Sequence, residues 1–425
     1  MRLVLTLVTI FMVISCTTKE QEFATNPNDY KKYLITEAPK TTSKYFELWN
    51  SKITPDSTQL LSFGNVASEY NRYFKNTGDI KFLKKAEKAL TKAVEIAAIN
   101  KSGYYRALAR NYISQHRFKE ALKMAKSARK LGSGLNESQS LLFDVHMELG
   151  NYKTAHKYLD SIKNMSDFGY LIRVAKWNDH RGDLDTTITF MQKAMQKAAS
   201  AKNKPLLIWT YSNLADYYGH AGRIEDSYKY YLKTLELDPD NAYAKKGIAW
   251  IVFSHEKNGE EALRILDAVN KYHISPDYYL LKAEIAQFMN DTYAVSRNFD
   301  SYYKMIQNES YGDMYNAHNI EFYIEQMKTY KKALDLAQKE VENRATPETY
   351  SLLAYAHLKI GNTKKALLIV QEYVTGKTFE PAVLLRASEI YKASGMVDQV
   401  AALKEELTGA IFELGPLSKD RIAAL

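Results

Sequence analysis

A small or medium residue returns inside a helical pattern at Ala86, Ala121, Ala155, Thr187, Ser227, Ala262, Val295, Ala333, Ala366 and Val400. The gaps are 35, 34, 32, 40, 35, 33, 38, 33 and 34 residues. A period averaging about 35 holds two helices and two turns, and little else. No such unit buries an apolar face alone, so successive units must stack. The period thus replaces the two or three separate domains that 425 residues would otherwise allow. Composition agrees: only 9 Pro and 18 Gly interrupt a chain rich in Ala, Leu, Lys, Glu and Tyr, which favours helix nearly throughout.

Residues 211–239 show how one unit is written. Leu214, Ala215 and Tyr218 share a helical face, Gly222-Arg223 opens a turn, and Ser227 is small where two helices approach most closely. Tyr231 and Leu235 follow, and Pro239 ends the second helix. Tyr105, Leu108-Ala109, Tyr112, Phe118 and Ala121 repeat the order, as do Tyr350, Leu353-Ala354, Gly361-Asn362 and Ala366. This order resembles the tetratricopeptide repeat over residues 43 to about 408. The resemblance implies an all-α, right-handed superhelical solenoid of about ten tetratricopeptide-like helix hairpins, an elongated coil with contacts between neighbours only. Some units depart from it. His116 stands where glycine usually turns the chain, and Lys257-Asn258-Gly259-Glu260 reads as a one-residue insertion. The first helix at Asp313 to Glu325 is degenerate, and the 40-residue gap reads as a long second helix with a linker near Ala198 to Pro205, a mild hinge.

MRLVLTLVTIFMVISC opens with Arg2, runs through apolar residues too few to span a bilayer, and ends at Ser15-Cys16. Residues 1–15 are therefore read as a signal peptide. Cys16 is the only cysteine, which excludes a disulfide within the chain. Val13-Ile14-Ser15-Cys16 resembles a bacterial lipobox, which implies cleavage before Cys16 and its acylation; the alternative is an ordinary secretory signal that happens to end in cysteine. Several acyl chains, at about 0.8 kcal/mol per buried methylene, anchor a protein without spanning. Lys19-Glu20-Gln21-Glu22 resembles the surface-export tag of lipoproteins in Bacteroidota. The expected location is the bacterial cell envelope, at the outer membrane, on its periplasmic or surface face. Residues 16–42 are read as the lipidated cysteine and a flexible tether, polar from Thr17 to Asn28. Residues 43–55 form a capping helix, 56–408 the repeat array, and 409–425 a tail that folds back as a lid.

Chemistry-bearing patterns are scarce. The nine histidines include no i, i+4 pair, and no Gly-x-Ser-x-Gly, Walker or Gly-x-Gly-x-x-Gly motif occurs, so neither an enzyme, a metal nor a cofactor is expected. The 32 tyrosines include pairs at 104-105, 217-218, 230-231, 278-279 and 302-303, where one member fills a core position and the other is free for contact. Residues 75–130 carry 15 Lys or Arg against 4 Asp or Glu. Lys81, Lys84, Lys85, Lys88 and Lys92 share one face, and the Lys81–Lys130 region reads either as a solvated stripe or as a patch for anionic headgroups near the anchor. Export disfavours nucleic acid.

The resemblance also implies that first helices line a concave groove for peptides or partner helices. Its outward positions are Arg106, Arg110, Asp144, Lys176, Asn213, Asp216, Lys246, Trp250 and Tyr355, with Arg106 and Arg110 one turn apart as a clamp for an acidic group. The expected function is a non-enzymatic, membrane-anchored scaffold that binds an envelope protein or peptide. A carbohydrate-binding lipoprotein of the SusD type, partnering an outer-membrane transporter, is the alternative.

Overall fold

The computed structural model describes residues 23–425 apart from 36, 55 and 57, so the signal peptide and Cys16 lie outside the described residues. Within them the chain forms helices and no strand. Ten antiparallel pairs follow one another: Leu60–Thr77 with Ile80–Ile96, Lys101–Ser114 with Phe118–Lys130, Leu135–Glu148 with Tyr152–Ser161, Phe168–His180 with Leu184–Ser200, Lys204–His220 with Ile224–Leu237, Ala242–Trp250 with Gly259–Asn270, Asp277–Phe288 with Thr292–Ile306, Asn316–Glu325 with Tyr330–Asn343, Pro347–Lys359 with Thr363–Tyr373, and Pro381–Ala393 with Val397–Gly409. Stacked in order, they form an all-α solenoid of tetratricopeptide-like hairpins.

The inner turn defines each pair. In all ten, one turn residue has positive φ: Gly78, His116, Gly150, Gly182, Gly222, Lys257, Asn290, Lys328, Gly361 and Gly395. That left-handed residue reverses the chain and lets the next amide reach back over the helix end. Arg223 N–H donates to Tyr218 O at 2.8 Å, and Asn362 N–H to His357 O at 2.9 Å. Asp79, Asp183, Asn258, Asp291 and Asn362 come directly after the turn, and each caps the helix it starts. Five residues past the turn lies the small residue that lets the two helices meet; Ala121, Ala155, Thr187, Ala262, Ala333 and Ala366 are fully buried there. In the first pair this place belongs to buried Leu83, so the period at Ala86 is displaced by three residues.

The irregular units resolve individually. The extra residue expected at Lys257–Glu260 is absorbed upstream, where Ile251–His255 makes a π-helical turn. The long gap is filled by helix: Leu184–Ser200 and Lys204–His220 are both 17-residue helices joined through Lys202 at φ 50°, with Pro205 in the second helix's first turn. Before the eighth pair, Glu309–Tyr311 adds a 3-10 turn, and the first helix begins at Asn316 and has ten residues.

The superhelix is tighter than an open coil, and contacts are not confined to neighbours. Ile274 N–H donates to Thr77 O at 2.7 Å, and Asn343 Nδ2 to His116 O at 3.3 Å. Gly150 lies against the Ala345 carbonyl and Gly182 against the Phe379 ring. Inner turns of pairs one to four thus rest on connections five to six pairs later in the chain. A glycine or exposed carbonyl at the turn allows this close backbone approach.

Both ends fold onto the array. Lys44–Asn50, capped by Ser43, sets Phe46 against Tyr70 and Tyr73, with ring centroids at 5.3 and 5.6 Å. The flexible tether does not extend through Asn28, because residues 23–34 form a strap on pairs five and six. Thr25 N–H donates to Glu256 Oε1 at 2.6 Å, and the Tyr228 hydroxyl donates to Asn26 O at 3.1 Å. Tyr30, only 1% exposed, donates to Glu261 Oε1 at 2.7 Å. Sequence position did not reveal this partner because Tyr228, His255 and Glu261 lie about 200 or more residues away from the strap groups they bond. The tail packs Ile422 with Leu384, Leu385 and Leu407, then sends Ile411–Leu414 across the coil.

Candidate partner-binding groove

First helices of pairs five to ten and the tail surround a cavity of about 970 Å³. Their inward positions recur at i, i+3, i+4 and i+7, as Asp277, Leu280, Leu281 and Glu284 do on the seventh pair. Polar and charged partners one repeat apart staple neighbouring helices. Lys246 donates to Asp277 and Tyr355 to Glu325. Arg386, 6% exposed, reaches across two repeats to Glu321 at 2.5 Å and also donates to Ser351 Oγ at 3.0 Å. Outside the main cavity, Arg173–Asp144 at 2.6 Å and Lys176–Glu148 at 2.7 Å continue the ladder.

The tail closes one side. Trp250 Nε1 and Ser254 Oγ both donate to Phe412 O, at 3.0 and 2.7 Å, and the Phe412 ring lies over Gly219. His220 Nδ1 pairs with Glu413 at 2.9 Å. Burial opposes the charged imidazole, but the Glu413 hydrogen bond and charge, with Asp179 and Asp216 nearby, raise its pKa from 6.5 to about 9. Asp216 accepts from Tyr231 at 2.5 Å and Tyr243 at 2.7 Å; burial raises its pKa, against the pull of the two phenols. Burial alone pushes Glu284 up to about 7.

The sequence-derived positions divide into two groups. Asp216, Lys246, Trp250 and Tyr355 line the cavity. Lys176 borders an adjoining cavity of about 510 Å³, and Asp144 accepts from Arg173. Asn213 Nδ2 is turned back on Trp209 O at 2.8 Å. Arg106 donates to Ser133 O at 2.9 Å and to Ser138 Oγ at 3.2 Å, which holds the start of the third pair rather than leaving a clamp. Arg110 is exposed and feels the charges of Asp144 and Arg173. His220, Glu284, Glu380, Glu413 and Arg421 were not among the expected positions. Asp277 and Glu284, seven residues apart on a first helix, were visible by the same projection; Glu380, Glu413 and Arg421 come from a connection and the tail, which have no period to read.

Of the tyrosine pairs, Tyr218, Tyr231, Tyr278 and Tyr302 are buried while their partners stay half-buried. Among the described residues no group of His, Cys, Asp and Glu gathers as a metal site, and no helix is long and apolar enough to cross a membrane.

No family model and no curated protein matches the chain. Solved structures resemble parts of it. A tetratricopeptide repeat protein from Parabacteroides merdae has 15% identity and a TM-score of 0.39 over 56% of this chain and 93% of its own. Yeast Tom70 has 13% identity and 0.36 over 82% and 91%. A Rap protein complexed with competence and sporulation factor has 12% identity and 0.46 over 62% and 78%.

Proposed function

We propose that this chain is a non-enzymatic interaction scaffold of the bacterial cell envelope, held at a membrane through an acylated Cys16, that receives a segment of another envelope protein in its groove. The groove carries this reading. It is walled by six consecutive hairpins, and Lys246, Asp277, Glu321, Arg386, Asp216 and Tyr231 are engaged in ion pairs and phenol–carboxylate bonds that shape a wall. Half-buried Leu280, Phe299, Leu414 and Leu417 in the groove offer apolar area for a partner chain. The carbohydrate reading gains nothing here, since the Trp250 indole is occupied by the tail.

A photo-crosslinking residue at Gln287, in the groove, is expected to capture a defined partner in cells, whereas one at Asp398, on the last pair's second helix, captures none. Equal products from both sites would remove the groove from the reading. Acylation is checked separately, by incorporation of labelled fatty acid that Cys16→Ser abolishes.

A further inference from the structure

The whole chain is basic, with a formal charge of +9, yet its groove is not. Eight carboxylates line the cavity against three Lys or Arg. Each of those cations is already matched: Lys246 by Asp277, Arg386 by Glu321, and Arg421 by Glu389 at 2.7 Å. His220 is matched by Glu413. Asp216 and Glu325 accept hydrogen bonds from the phenols of Tyr231, Tyr243 and Tyr355 and have no Lys or Arg in an ion pair.

Three carboxylates remain. Half-buried Glu284 sits on the seventh pair, exposed Glu380 on the connection into the tenth, and exposed Asp420 on the tail; none of the three carboxylates makes a hydrogen bond or ion pair among the described residues. Desolvation raises the Glu380 pKa and the like charge of Glu413 adds to it, while the nearby His220 charge opposes both. A carboxylate drawn partly out of water with no ion pair of its own is stabilised in its charged form by an arriving cation. Among the described residues no three His, Cys, Asp or Glu side chains gather closely enough to share one metal ion. Apolar residues share the same wall, and the cavity's volume of about 970 Å³ is at the upper end of the roughly 300–1,000 Å³ of binding pockets.

We propose that the groove takes an extended peptide segment of a partner protein bearing several lysines or arginines, with Glu284, Glu380 and Asp420 receiving its cations and the apolar wall its backbone and stems. This rests on the scaffold reading and adds the charge of the partner. Segregating carboxylates inside a basic body also steers: anionic partners are drawn to the outer surface and cationic ones to the groove.

The test uses the purified chain at pH 8, where Glu284 is mostly ionised, and fluorescence anisotropy of a labelled (Ala-Lys)6 peptide, an (Ala-Glu)6 peptide and a neutral (Ala-Ser)6 peptide. The lysine peptide is expected to bind and to weaken with salt, and Glu284→Gln with Glu380→Gln to weaken it at least about tenfold. Because neither side chain has a partner, the double variant should melt with the parent, so lost binding is not lost folding. Glu225→Gln, outside the groove, is the control. Unchanged affinity in the double variant overturns the proposal, as does spermidine competing as well as the peptide at equal charge. Preferential binding of the glutamate or neutral peptide at the groove would overturn the cation assignment while leaving the scaffold reading standing; no binding by any of the three would count against both.

Discussion

Glycines of equal backbone conformation carry unequal loads. Gly78 (φ 67°) and Gly222 (φ 70°) occupy equivalent turns, but a methyl group on Gly78 would collide with the Ile274 carbonyl while one on Gly222 meets nothing within 4 Å. Gly222→Ala should therefore cost only the left-handed penalty, about 1–2 kcal/mol. Gly78→Ala should cost about 1–3 kcal/mol more, the cost of overpacking, because a backbone carbonyl cannot swing away. Denaturant unfolding of the two variants measures the difference. Gly247 packs against the Tyr231 ring with no room for a methyl, so substitution there also displaces the phenol that satisfies Asp216. Ser102 is 1% exposed and its hydroxyl has no hydrogen-bond partner among the described residues. Ser102→Ala should stabilise by about 1 kcal/mol, since it removes an unsatisfied buried group at almost no change of volume.

At the scale of elements, the strap and the tail are both short pieces held by few groups. Tyr30 anchors the strap by burying its ring edge-on to Tyr228, 6.4 Å between centroids, and by its bond to Glu261. Tyr30→Ala should cost about 3–5 kcal/mol of local stability, read as faster amide exchange over pairs five and six. The tail latch is pH-dependent. His220 has its pKa raised in the folded state, so the Glu413 pair contributes fully below about 6.5 and is lost as pH rises through about 9. Protease cleavage between Gly409 and Arg421 should accelerate from pH 8 to pH 10, and His220→Gln should be susceptible throughout and lack that step. The π-helical turn belongs with the latch, since it follows Trp250 directly and contains Ser254, and both donate to Phe412 O.

For the whole molecule, touching coils change how it unfolds. An open repeat array loses its ends first and its middle independently, because each unit meets only its neighbours. Here Thr77 is tied to Ile274 and His116 to Asn343, so the first pairs and the later ones support one another. Denaturant curves followed at separate probes, one in pair two and one in pair eight, should coincide in the parent and part in Gly78→Ala. The sequence by itself determined the hairpins: left-handed turns written as glycine or a tolerant substitute, caps directly after them, and small residues five positions on are local instructions, enforced by backbone sterics and hydrogen bonds within one unit. Asp216, Lys246, Trp250 and Tyr355 could be placed on the groove for the same reason, since first-helix positions recur with the repeat. Only the tertiary structure decided how tightly the coil winds, where the strap and the tail dock, and which carboxylates keep no cation. Small rotations between pairs add up along the solenoid, and the partners that result, such as Tyr30 with Glu261 or His220 with Glu413, are separated by spans that no local pattern encodes.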